Sequence, residues 1–407
     1  MSPGLTVLVA ARDEEERIGQ TVAGLRELFP GAAIVVADDG SLDRTVAVAE
    51  AAGARVVRLA RRGKGQALTL AERELGPGAL LLCDADLRGD LRGLCESGAD
   101  VSIAAFRTRS GGGFGLAKRT ARSLIELSCG VAVREPLSGQ RRLSERARAA
   151  VFPVASGFGV ETRMTIDAVR AGLEVEEVEL ELEHRATGRD LRGFAHRGRQ
   201  LADLVLSCGP QAVNFRGLRL PLVGSAIGIA APSVAPVAAI GLADDLWSGP
   251  ERGFRAHLGS GATTGTLKLV GIPLYALLRT RSVSAALLVG LAANALNQLD
   301  TRPGRALKGF GLGSLLLRGR VPRRAALVAV LIAPYDLGEM AMLGDAGSNA
   351  LGAVLGFSSV EVLAGRRRWC AIGALSLLTL AGERRSLGAL IESTPVLREL
   401  DRLGRSS

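Results

Sequence analysis

Cysteine and aromatic residues are scarce in this sequence. Its five cysteines (83, 95, 129, 208 and 370) form no Cys-x-x-Cys pair and no Cys/His ligand spacing. A disulfide framework and a structural zinc site are therefore not expected, and a reducing compartment fits. Aromatic residues make up 3% of the chain. A surface that stacks bases on rings is not expected, so nucleic acid is left out of the partners. The apolar run 5–11 meets the acidic stretch 13–16 at once, so the opening of the chain does not read as a signal peptide. No internal repeat or low-complexity tract interrupts it.

What is present is apolar and unevenly charged. Apolar residues make up 47% and mean hydropathy is +0.24, which excludes a disordered chain and is high for a purely soluble one. At 407 residues the chain exceeds one ordinary core, and two domains are expected. Residues 1–210 balance 29 Lys and Arg against 29 Asp and Glu, while the remainder carries 22 against 12, the whole of the +10 excess. The basic half is also the more hydrophobic half, a pairing that suggests a membrane with anionic headgroups or lipid phosphates.

The first half alternates short apolar runs with helical patterns. Strands are predicted at 6–11, 33–37, 55–59 and 79–83, and helices at 15–28, 43–52 and 65–75. That alternation builds βαβ units and a mostly parallel sheet, with ligands at the carboxyl ends of the strands. The polar residues there are Arg12-Asp13-Glu14, Asp38-Asp39-Gly40-Ser41 and Asp84-Ala85-Asp86. Asp84 and Asp86 at a strand end suit Mg²⁺ or Mn²⁺ bridging a diphosphate, although a solvated acidic turn produces the same pattern. Lys64 lies between two glycines just before a helix, where backbone and helix terminus favour an anion. Residues 118–125 read as a basic amphipathic helix.

The ordered set Val-Ala-Ala-Arg-Asp-Glu-Glu (9–15), Ala-Asp-Asp-Gly-Ser-x-Asp-x-Thr (37–45), Arg-Gly-Lys-Gly-Gln-Ala-Leu (62–68) and Leu-Cys-Asp-Ala-Asp (82–86) resembles the family 2 glycosyltransferases of GT-A fold. The subgroup it most resembles is that of the polyprenyl-phosphate (dolichol-phosphate) sugar synthases and their glucosyl-phosphoglycerate synthase relatives. The resemblance continues through 136–141, 157–161 and 184–189 and spans about 5–205. It implies that Glu14 and Asp39 hold the nucleoside, that Lys64 lies near the donor phosphates and that Asp84 and Asp86 serve the metal and donor sugar. It further puts Ser138, Gln140 and Arg141 on the acceptor side, with Arg185 and Arg189 on phosphate. Asp13 stands where the family usually has Asn. An ionised lipid-phosphate acceptor would need no strong base, whereas a hydroxyl acceptor needs a carboxylate, for which Glu161 is the candidate; a plain helix N-terminal acid explains it equally well.

In the second half, residues 220–243 carry no charge but contain Pro221, Pro232 and Pro236. Further apolar stretches at 269–278, 283–299, 309–317, 325–335, 346–360 and 369–381 are separated by Arg-rich turns. Together they predict a polytopic membrane module, with a re-entrant bend at Pro232–Pro236. Acidic motifs end three stretches, and carboxylates so placed are usually functional. Asp244-Asp245, Asp300 and Asp345 in this order resemble the polyprenyl-phosphate N-acetylhexosamine-1-phosphate transferases, which implies that these residues converge on Mg²⁺. The chain departs from that pattern at Asp300-Thr301-Arg302-Pro303-Gly304-Arg305, where a second acid is missing, and it has no histidine in 391–401.

The resulting expectation is an α/β GT-A domain (Rossmann-like, with a mixed, mostly parallel sheet) over 1–210 and an all-α polytopic membrane domain over 211–407, with a short cytoplasmic tail from about 383. Asp86, Glu161, Arg141 and Asp345 are the catalytic candidates. Glu14, Asp39, Lys64, Asp84, Ser138, Gln140, Arg185 and Arg189 are the binding candidates. Asp84, Asp86, Asp244, Asp245, Asp300 and Asp345 are the ligands for Mg²⁺ or Mn²⁺. The expected activity moves a sugar from a nucleotide-sugar donor to a polyprenyl-phosphate-type lipid at the cell membrane, with the catalytic domain cytoplasmic. Two alternatives accompany it. In one, the second half also transfers a sugar-1-phosphate. In the other, the acceptor is soluble and phosphoglycerate-like, and the second half only anchors.

Overall fold

A computed structural model of the chain describes residues 4–106, 115–183, 191–247, 264–384 and 386–405. The chain divides into two compact units, Met1–Gly209 with Gly217–Arg219, and Pro210–Arg216 with Leu220–Ser407.

The first unit is layered α/β. Its strands are β1 (Thr6–Ala11), β2 (Ala33–Asp38), β3 (Arg55–Arg58), β4 (Leu80–Asp84), β5 (Arg88–Gly89), β6 (Val101–Phe106), β7 (Arg141–Leu143), β8 (Val175–Leu180) and β9 (Leu182–Glu183). Its helices are α1 (Ile18–Leu28), α2 (Thr45–Ala51), α3 (Lys64–Glu72), α4 (Arg92–Glu96), α5 (Gly115–Cys129), α6 (Glu145–Val151), α7 (Val160–Arg170) and α8 (Leu191–Cys208). Seven strands form one sheet in the order β3-β2-β1-β4-β7-β6-β8. All neighbouring pairs are parallel except those of β7, which is antiparallel to both β4 and β6.

The apolar runs are continuous because both faces of the sheet are covered. In register, Val35, Leu8 and Leu82 form a row in one core, and Val36, Val9 and Cys83 form the next row in the opposite core. That is the two-residue period of a strand. Burying each such aliphatic side chain contributes about 1.5–3 kcal/mol. The order of strands reverses beside β1, where the chain goes to β2 and β3 on one side and to β4 on the other. The carboxyl ends of β1, β2 and β4 therefore flank the switch point at which ligands bind in such sheets. In α5, Ala121 and Ile125 are buried, while Lys118 pairs with Glu135.

The second unit is helical apart from short strand segments. It contains α9 (Ser225–Ala230), a 3-10 turn (Pro232–Val234), α10 (Ala235–Trp247), α11 (Thr264–Thr280), α12 (Val283–Leu299), α13 (Arg305–Leu316), α14 (Arg323–Leu337), α15 (Gly344–Val362), α16 (Gly365–Arg384), α17 (Leu387–Ser393) and α18 (Pro395–Arg402). Val289 and Ala293 of α12 share the core with Ala350, Ala353 and Val354 of α15. These two helices meet nearly backbone to backbone: a Cβ at Gly352 would lie 2.4 Å from the Ala292 carbonyl oxygen.

The structure corrects the polytopic membrane reading of this half, because no described helix is long and apolar enough to cross a membrane. The uncharged stretch 220–243 is broken into α9, the 3-10 turn and the start of α10. At 17 residues, α12 spans about 26 Å, short of the ~30 Å hydrocarbon core. Of the two longest helices, α16 opens on Arg366-Arg367-Arg368, while α15 carries Asp345, Ser348 and Asn349 in its first turns. The multi-pass placement in the cell membrane falls with these spans.

Candidate active site

The site in the first unit is built where three strands end. After β1, Asp13 takes a left-handed backbone (φ 52°). Its N–H donates to Ser41 Oγ (3.0 Å), and its carboxylate accepts from Leu42 N–H (2.8 Å). The next residue, Glu14, donates its N–H to Thr45 Oγ1 (2.7 Å) and takes an ion pair from Arg17 (2.9 Å). The loops after β1 and β2 are thereby latched together.

Asp39 is buried and directed to the backbone. Its carboxylate accepts from the N–H groups of Arg62 (2.7 Å) and Gly63 (2.9 and 3.0 Å). This fixes the turn before α3, where Gly63 has φ 99°, a conformation glycine adopts without steric cost. The turn delivers Lys64, whose Nζ donates to Asp84 Oδ1 and Glu161 Oε1, each at 2.7 Å. Burial pulls the Lys64 ammonium down, but the two carboxylates outweigh it and the pKa is raised. Glu161 lies in the first turn of α7 and is 8% exposed.

Asp84 has a second neighbour, Gln140, whose Nε2 donates to Oδ2 at 3.1 Å. The intervening Gly139 is so close that a Cβ there would sit 2.3 Å from Asp84 Oδ2. Ser138 and Gln140 are each 4% exposed. Arg141 was expected to face the acceptor, but its side chain is fully buried behind this turn. Its Nε donates to Ser138 O (2.8 Å), its Nη1 to Thr165 Oγ1 (2.8 Å) and its Nη2 to Pro136 O (3.1 Å). Burial pushes its pKa down to about 10, against the pull of Glu161 and Glu177. The guanidinium thus ties the Pro136–Gln140 turn to the helix that carries Glu161.

Asp86 does not join Asp84 at Lys64. It lines a cavity of about 370 Å³ with Arg17 and with residues of α1, among them Gln20 and Thr21. Arg185 and Arg189 lie outside the described residues.

In the second unit, Asp244 and Asp345 converge as expected, but on an ammonium: both carboxylates pair with Lys268 of α11. Asp245 accepts from the N–H groups of Asp345 (2.9 Å) and Ala346 (3.0 Å) at the start of α15. Burial raises Asp345 to about 7, with the bond to Asp244 adding to it. Burial likewise raises Asp300 well above the ordinary range, helped by Asp336, Asp345 and Asp245. Among the described residues no group of three or more His, Cys, Asp or Glu side chains is placed to hold a metal. Lys268 is the residue that sequence reasoning missed. The signal was available, since it is the lone charge within 264–278.

Comparison with known proteins gives the class. A family model described as Glycosyl transferase family 2 matches residues 6–121. The glucosyl-3-phosphoglycerate synthase of Mycolicibacterium paratuberculosis is 31% identical over 244 residues, covering 50% of this chain and 72% of that one. The synthase of the same name from Mycolicibacterium smegmatis is 30% identical over 250 residues, covering 50% and 78%. A solved structure of the Mycobacterium tuberculosis glucosyl-3-phosphoglycerate synthase, with Mn²⁺, uridine diphosphate and phosphoglyceric acid, has 28% identity, covers 51% of this chain and 78% of that chain, and has a TM-score of 0.43. The chain belongs to glycosyl transferase family 2 and is a glycosyltransferase. These likenesses lend no support to the sugar-1-phosphate transferase relationship expected of residues 211–407.

Proposed function

We propose that the first unit transfers a sugar from a nucleoside-diphosphate donor to the hydroxyl of a small phosphorylated acceptor of the phosphoglycerate kind. The observation that carries this reading is Glu161, a buried carboxylate directed at the Lys64–Asp84 centre. An ionised lipid phosphate has no proton to give up, whereas a hydroxyl does, and a positioned carboxylate takes it. The relatives named for glucosyl-3-phosphoglycerate synthesis support the same choice over the polyprenyl acceptor.

In this reaction the acceptor oxygen bonds to the anomeric carbon, its proton passes to Glu161, and the bond from that carbon to the diphosphate oxygen breaks. Lys64 exchanges a carboxylate partner for the leaving diphosphate, which places positive charge where negative charge develops. Gln140 and the Gly139 approach hold Asp84 in one orientation throughout. Asp84 and Asp86 carry the hard oxygens that would hold Mg²⁺ or Mn²⁺, and the Lys64 ammonium on Asp84 is consistent with positive charge at that carboxylate. Bound to the donor, the ion would supply electrostatic stabilisation of the departing diphosphate.

The test is to incubate the protein with Mn²⁺ or Mg²⁺, labelled UDP-, GDP- and dTDP-sugars, and either 3-phosphoglycerate or a polyprenyl phosphate. The expected label is in a water-soluble anionic product made only with 3-phosphoglycerate. Label in the organic phase would overturn the acceptor assignment.

A further inference from the structure

The second unit holds a concavity that the sugar-transfer reading does not use. It has a volume of about 350 Å³ and is walled by the segments around Phe215, Arg302 and Glu339 and by α17 and α18. Three carboxylates face it, and each is already engaged. Glu339 pairs with Arg216 at 3.1 Å. Glu392 pairs with Arg305 at 2.9 Å. Asp401 accepts Arg305 at 2.8 Å and Arg405 at 2.5 Å.

Three further arginines line the same concavity with donors to spare. Arg302 approaches Glu392 only to 3.6 Å and lies over the Phe215 ring at 4.1 Å from its centroid. Arg398 and Arg402 have Glu399 as their carboxylate neighbour, at 4.0 and 3.6 Å. Among the described residues, none of these three guanidinium groups is within hydrogen-bond distance of a carboxylate. The positive field is also felt by the flanking lysine: burial first, then Arg405, holds the Lys308 ammonium below its ordinary value. Lys308 itself caps the carbonyls of Leu400 and Asp401 at 3.2 and 2.6 Å, so α18 is held against the pocket.

A guanidinium presents a planar fork of N–H donors that matches phosphate oxygens two at a time. An ordinary basic surface disperses its charge toward solvent. Here Glu339, Glu392 and Asp401 are committed to Arg216, Arg305 and Arg405, and Glu399 comes no nearer than 3.6 Å to Arg398 and Arg402, leaving three forks around one depression. We infer that this pocket of the second unit binds a phosphate-bearing small molecule, with Arg302, Arg398 and Arg402 on the phosphate oxygens and the stacked Arg302–Phe215 pair as its floor. The inference stands on the second unit alone and is independent of the acceptor assigned to the first.

The experiment is calorimetric titration of the whole chain with inorganic pyrophosphate in EDTA, repeated with inorganic phosphate and with UDP. Arg302→Gln and Arg402→Gln are each expected to weaken pyrophosphate about tenfold, and raising salt to weaken it further. Lys64→Met removes any pyrophosphate binding at the first unit and is expected to leave the Arg302- and Arg402-dependent binding intact. Arg367→Gln, an exposed arginine of α16, controls for net charge. Thermal melts check that the glutamine variants remain folded. If pyrophosphate does not bind, or binds equally well to the Arg302→Gln/Arg402→Gln double variant, or is lost with Lys64→Met alone, the inference is overturned. UDP binding more tightly than pyrophosphate in the Lys64→Met background would place a nucleoside on the Phe215 side.

Discussion

The two units contain the same small device, a lysine ammonium between two carboxylates, in opposite electrostatic settings. In the first, Lys64 sits between Asp84 and Glu161, and the neighbouring acid Asp39 is neutralised by backbone N–H groups of the adjacent turn. The cluster is close to balance, it lies at strand ends, and the lysine comes from the start of α3. In the second, Lys268 alone serves Asp244 and Asp345, with Asp245 and Asp300 pressing in from neighbouring elements. Carboxylates outnumber cations there, and burial first, with the bond to Asp244 adding to it, raises the Asp345 carboxyl to about 7. The contrast teaches that an ion triad alone does not mark a catalytic centre. What distinguishes the first is its setting at the strand ends, where Gln140 and backbone N–H groups fix the acids around the lysine.

The sharpest way to break this comparison is Glu161→Gln. Loss of a positioned base is expected to lower kcat by about 10²–10⁴-fold with the donor KM little changed, read by steady-state kinetics. An unaffected kcat would return Glu161 to the role of a plain helix N-terminal acid. Next in size is Gly139→Ala, which puts a methyl group into the Asp84 carboxylate. Displacement by about 1 Å costs as much as about 100-fold in turnover, whereas Gly352→Ala, an equally tight site between α12 and α15, should cost about 1–3 kcal/mol of stability and leave kcat alone.

Lys268→Met leaves its buried partners without their cation. It is expected to destabilise the second unit by about 3–5 kcal/mol, measured by urea unfolding, without loss of sugar transfer. The smallest effect is a slope. Asp345 is raised from 3.8 to about 7, so between those values the folded chain keeps a proton that the unfolded chain has released. Stability should therefore fall as pH rises from about 4 to about 7 and level off above. Asp345→Asn should flatten that segment of a Tm-against-pH curve, and an unchanged slope would assign the titration to another group.

Much of the first unit is legible from its residues because local pattern and tertiary role agree there. Runs such as 6–11 and 80–84 are apolar throughout since both sheet faces are covered, and the acidic motifs fall where the strands stop. The destinations of individual side chains are less legible. Asp39 is a plausible nucleoside ligand by position, yet its oxygens hold the turn that presents Lys64. Arg141 belongs to a polar motif, yet it is wholly interior, because three backbone and hydroxyl acceptors from two elements replace its water. Neither outcome is visible without knowing which loops meet. The second unit was misread for a different reason: apolar runs report burial, not what covers it. Prolines at 232 and 236 and short helices cut those runs into pieces that bury one another.

The reversed strand β7 has a consequence for how the Asp84 carboxylate is held. Because it runs against β4, with Arg141 opposite Leu82, its point of entry into the sheet lies beside the point where β4 leaves. The Pro136–Gln140 turn consequently arrives at the Asp84 carboxylate from a separate stretch of chain. Lengthening or rewriting that turn acts on the Asp84 carboxylate through Gly139 and Gln140, while the register of β1, β2 and β4 is set elsewhere. A substitution anywhere in residues 136–140 is therefore felt first at Asp84, through Gly139 and Gln140, and not in the pairing of the sheet.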